Sequence, residues 1–78
     1  MTFAKLIKLY KLDDGSRLAT IFWRDVKGKL HEVVASGQGF HSDMVKRLHK
    51  KKVNDRWTSW DIEKDSWEIF LEDDKVGD

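Results

Sequence analysis

Close to the C-terminal end, polarity alternates with a period of two: Thr58, Trp60 and Ile62 stand against Ser59 and Asp61, then Trp67, Ile69 and Leu71 against Glu68, Phe70 and Glu72. Only an extended backbone sends successive side chains to opposite faces, so the pattern requires two strands, with Lys64-Asp65 as their turn. In that register Ile62 faces Trp67 and Trp60 faces Ile69 on the buried side. Trp57 beside Glu72 and Phe70 beside Ser59 are left outside. The tail, residues 73–78, is expected to fray.

The N-terminal half reads as a meander. Phe3 to Leu12 is punctuated by Lys5, Lys8 and Lys11, a spacing that a strand or a helix accommodates, and it runs through Asp14-Gly15 into Leu18-Ala19-Thr20-Ile21-Phe22-Trp23. Asp-Gly between β-rich runs is a strong hairpin signal, which favours a strand, with a helix as the alternative. Pairing about that turn sets Leu9 opposite Thr20 and Ile7 opposite Phe22 on one side, and Tyr10 opposite Ala19 and Leu6 opposite Trp23 on the other. Both faces are then partly apolar, which suits strands covered on each side or a strongly curled sheet. A second hairpin turns at Lys27-Gly28 and returns along Leu30 to Ala35. Beyond Ser36-Gly37-Gln38-Gly39, Ser42 is a natural N-cap, with Asp43 in the first turn of a helix running to about Lys52. Met44, Val45 and Leu48 form its apolar stripe, while Lys46 and Lys50 point away with Arg47 beside them.

The expected order is β-β-β-α-β-β. That is an α+β fold, a mainly antiparallel curled sheet or a small partly open barrel with one helix, in a single domain over residues 1–78. In layout it resembles the five-stranded OB-type barrel, whose helix lies between strands three and four, although the chain is short for one and layout does not carry function. With no cysteine among 78 residues, packing alone has to supply stability, and the four tryptophans are its largest apolar groups.

Chemistry is sparse. No serine or threonine has the spacing of an activated nucleophile around His31, His41 or His49, so a non-enzymatic role is expected, without a cofactor. His41-Ser42-Asp43 is explained by capping. On a continuous helix His41 and His49 would be two turns apart, about 12 Å along the axis, too far to share a metal ion, and none is expected. The chain shows no secretion-type start and no membrane-length apolar run, which points to the cytoplasm and away from a membrane partner.

Charge is the most informative property left. Residues 1–56 hold thirteen Lys/Arg against six Asp/Glu, and residues 57–78 hold two against eight, so a near-neutral total conceals a bipolar chain. The candidate contact residues are Lys46, Arg47, Lys50, Lys51 and Arg56 with the adjacent Trp57, together with outward Phe70. Another protein is the first-choice partner, because charge steers encounter while an exposed aromatic anchors it. Single-stranded DNA or RNA is the alternative, with the cations on phosphates and Trp57 stacking a base. The strand Trp67 to Glu72, placed at a sheet edge, also offers a route to a homodimer.

Overall fold

The computed structural model describes residues 1–75. Its elements run α1 (Phe3–Tyr10), β1 (Leu18–Arg24), β2 (Leu30–Ala35), α2 (Asp43–Lys46), β3 (Ser59–Asp61) and β4 (Ser66–Phe70), with 3-10 helices at Leu12–Asp14 and Gly37–His41. The fold is α+β, built on an open four-stranded sheet in the order β2-β1-β4-β3. β2 and β3 pair antiparallel with their neighbours, whereas β1 and β4 lie side by side in parallel.

The first segment is the helical alternative, so the expected first strand and the five-stranded barrel layout do not hold. Phe3, Leu6 and Ile7 are buried, and their spacing is that of one helix face. Thr2 caps the start, its hydroxyl accepting from the Lys5 amide at 3.3 Å. At the other end Lys11 adopts a left-handed conformation (φ 52°) and donates its amide to the Ile7 carbonyl, closing the helix where glycine would be more usual. Asp14-Gly15 is therefore a link between helix and strand. The Asp14 carboxylate accepts from the Ser16 amide and hydroxyl, at 2.8 and 2.6 Å, and Gly15 takes a φ of 87°.

The Lys27-Gly28 hairpin forms as expected, with Trp23 opposite His31 and Arg24 opposite Leu30. Asp25 organises its turn, accepting from the amides of Lys27 and Lys29. The C-terminal hairpin also forms, but two residues out of the expected register: Trp60 lies opposite Trp67, not Ile69. Asp61 accepts from the amides of Glu63 and Lys64, so its side chain starts the turn early, and Ile62 is expelled to 84% exposure.

The expected helix from Ser42 to Lys52 shrinks to one turn. Ser42 does cap it, accepting from the Val45 amide at 3.4 Å, but the helix ends at Lys46. Lys52 and Val53 then form isolated bridges, Lys52 with Thr2 and Val53 with Leu71, and the Glu72 amide donates to the Lys52 carbonyl. The start of the expected frayed tail is instead tied down. The Asp74 amide donates to the Arg24 carbonyl, and the Asp74 carboxylate pairs with the Lys51 ammonium at 2.5 Å. Residues 76–78 of that tail lie outside the described residues. β4, expected at an edge, is interior to the sheet.

All the core lies on one side. Ala19, Ile21, Ala35, Ile69 and Leu71 meet Phe3, Leu6, Ile7 and Leu12 from the N-terminal segment and Phe40, Val45, Leu48 and Val53 from the middle one. Trp23, Val33 and Trp67 pack against this cluster from the same sheet face. Among the described residues no second helical layer covers the other face.

Fully buried Ile69 is expected to cost about 2–5 kcal/mol when changed to alanine, whereas Ile62→Ala should stay within about 0.5 kcal/mol. Urea unfolding of both variants checks the register directly, since the pairing expected from the alternation, Ile62 with Trp67, would bury Ile62. Lys11→Gly should raise stability by about 1 kcal/mol by relieving the left-handed backbone.

Candidate functional site: an open aromatic sheet face

Strand alternation places Leu18, Thr20, Phe22 and Arg24 of β1, Leu30, Glu32 and Val34 of β2, Ser66, Glu68 and Phe70 of β4, and Ser59 and Asp61 of β3 on the uncovered face. Parallel pairing sets Phe22 directly beside Phe70. Their rings stack with centroids 4.7 Å apart and an interplanar angle of 16°. Next to this pair opens a groove of about 300 Å³, lined by Phe22, Arg24, Leu30, Asn54, Trp57, Phe70 and Asp73 among others.

Trp57 reaches the groove because of its turn. The Asn54 side chain accepts from the Arg56 amide at 3.2 Å, and the Trp57 amide donates to the Asn54 carbonyl. The Asn54 amide in turn donates to the Phe70 carbonyl at 2.7 Å, which fastens the turn to β4. The indole is 61% exposed. A large apolar ring held in water by backbone geometry is a ready contact surface. Arg56 stays beside it, its guanidinium carbon 6.0 Å from the ring centroid.

Carboxylates outnumber cations on this face: Glu32, Glu68, Asp61 and Asp73 belong to it or its rim, against Arg24, whose guanidinium already donates to the Gly28 carbonyl at 2.9 Å, and Arg56 beside Trp57. The cations expected beside Trp57 divide. Lys46 and Arg47 line a different concavity with Asp43 and Met44, Lys50 is exposed in the turn after α2, and Lys51 is part-buried in its bonds to Asp74 and the Glu72 carbonyl. Trp57 and Phe70 come together as site residues, and the basic ridge is not part of their groove. Phe22 and Leu30 complete it. The apolar character of both faces of β1 is consistent with an outward Phe22 without singling it out, and Leu30 lies on β2.

The histidines are held by carboxylates or carbonyls. His31 Nε2 lies 2.8 Å from the Asp25 carboxylate under a stacked Trp23, His41 Nε2 lies 2.7 Å from Asp13, and His49 Nε2 lies 2.7 Å from the Phe40 carbonyl. The His41 and His49 rings, which a continuous helix would set two turns apart, are only 5.8 Å apart, with extended Ser42 separating the 3-10 helix of His41 from α2. Among the described residues no group of three or more histidines and carboxylates is gathered to hold a metal ion. No helix of the described residues is long and apolar enough to cross a membrane. No family model, curated protein or solved structure matches the chain.

The hydrogen bond from His41 holds the Asp13 carboxyl below its ordinary value, and that from His31 does the same for Asp25. A carboxylate whose folded-state value lies below its unfolded value, about 3.9, contributes stability that is complete above that pH and lost as pH falls through the folded value. The Asp13→Asn/Asp25→Asn variant should therefore lose stability less steeply than the wild type below about pH 4. Thermal unfolding across an acid series reads this.

Proposed function

We propose that the chain is a non-enzymatic protein-binding module, an adaptor, regulator or inhibitor, that docks through the uncovered face of its sheet. The observation that carries this is the Phe22–Phe70 stack, with Leu30 and Trp57 lining a groove beside it and acidic side chains around it. Aromatic anchors in a concave centre with a polar rim are the usual composition of a protein contact. The acidic rim selects a partner that presents apolar side chains among Lys or Arg, because opposite charge steers encounter and like charge suppresses wrong partners.

The same acidic rim disfavours single-stranded nucleic acid here, even though stacked rings suit bases. Phosphates would meet Glu32, Glu68 and Asp73 within a screening length of about 8–10 Å. The cations that would attract them lie largely elsewhere on the molecule.

Trp57→Ala combined with Leu30→Ala removes two exposed side chains from the groove while sparing the core, so stability should change by less than about 1 kcal/mol. In affinity capture from the source cells, the double variant should lose the partner that the wild type retains. A partner set unchanged by these substitutions would count against this face. Titration of a labelled single-stranded oligonucleotide at low salt is expected to show no binding at the groove. Binding that Trp57→Ala abolishes would favour the nucleic-acid reading instead.

A further inference from the structure

A second concavity, on the helical side of the molecule, has the opposite electrical character. It has a volume of about 490 Å³ and is lined by Ala4, Ile7, Lys8, Lys11, Asp13, His41, Lys46 and His49. Two separate stretches of chain supply its cations. Lys8 comes from α1 and Lys11 from the left-handed residue that ends it, and Lys46 is the last residue of α2. The backbone supports this convergence: the amides of Phe3 and Ala4 donate to the carbonyls of Lys51 and His49, at 2.8 and 3.1 Å, which docks the start of α1 on the segment that follows α2.

Asp13 is the one carboxylate of the lining, and it is engaged by His41 at 2.7 Å. His41 in turn meets the His49 ring edge-on, and His49 packs against Phe3. The lysines and Asp13 give the lining three positive charges and one negative charge.

We infer that this concavity binds a small, multiply charged oxyanion of the phosphate class. The volume falls in the range of small-molecule sites, about 300–1,000 Å³, rather than forming an extended track. Arg47 and Lys50, which a longer polyanion would need, are not among its lining residues. Ala4 and Ile7 contribute an apolar part of the wall, which fits an anion carrying a compact organic group. The inference concerns a different face from the aromatic groove and stands independently of it.

The test is titration of the intact chain with inorganic pyrophosphate at low salt, followed by amide chemical shifts and calorimetry. Saturable binding is expected, with the largest shifts at Lys8, Lys11, His41, Lys46 and His49, and with loss of binding in Lys8→Gln/Lys46→Gln. Lys11→Gly should also weaken binding although it does not destabilise the fold, which separates lost contact from unfolding. Absence of saturable binding, or binding retained by the double lysine variant, would overturn the inference. A short single-stranded oligonucleotide binding more tightly than pyrophosphate at these residues would also overturn it, in favour of a nucleic-acid backbone.

Discussion

The parallel pairing of β1 with β4 joins the two halves of the molecule. It sets Ile21 beside Ile69 on the core face and Phe22 beside Phe70 on the other, so one register creates both the centre of the hydrophobic core and the centre of the candidate site. Beyond the strands, the Leu71 amide donates to the Phe22 carbonyl and the Asp74 amide to the Arg24 carbonyl, which extends the seam to the end of β1. β1 and β4 lie at the centre of the sheet, with a hairpin partner outside each of them. Neither hairpin has a large enough apolar face to be stable alone. Folding of the N-terminal half and of the C-terminal hairpin is thus coupled through this seam, with the contacts of Lys51, Lys52 and Asn54 to the end of the chain beside it.

Segregation follows from that geometry. Every helical turn packs on the side of Ile21 and Ile69, because the buried residues of α1, of α2 and of the Gly37–His41 turn all meet them there. The opposite face then has only its own side chains. Two phenylalanines in adjacent central strands shield each other by stacking, which lowers but does not abolish the cost of leaving aromatic surface in water. In the proposed binding mode a partner covers these rings. Lysines of α1 and α2 gather around the helical concavity, whereas Glu32, Glu68 and Asp73 lie on or beside the aromatic face with Arg24 and Arg56 among them. Lys51 and Asp74 form an ion pair that fastens the chain end.

Much of this was legible in the residues, and the misreadings have physical causes. The alternation of Trp67, Ile69 and Leu71 correctly marked β4, and Lys27-Gly28 correctly marked a hairpin, because both signals are local. Phe3, Leu6 and Ile7 carried a helical period, but Asp14-Gly15 outweighed it. That dipeptide served a helix-to-strand link with the Asp14 carboxylate on Ser16, a use indistinguishable by composition from a hairpin turn. The register of the last hairpin slipped because Asp61 captures the turn amides. No pattern of apolar residues reveals that a polar side chain will win over burying Ile62. The pairing of Leu18 with Ser66 through Phe22 with Phe70 is remote in sequence and left no local trace. For that reason Trp57 and Phe70 were identifiable as outward aromatics while Phe22 and Leu30, their companions in the groove, were not.

Long-range proton contacts measured by nuclear magnetic resonance test the seam most directly. The fold predicts contacts between the Ile21 and Ile69 side chains and between the Phe22 and Phe70 rings, together with helical carbon shifts over Phe3–Tyr10. Contacts from Phe22 to Ile7 and from Thr20 to Leu9, with extended shifts at the N-terminus, would contradict it, and the open aromatic face would no longer exist.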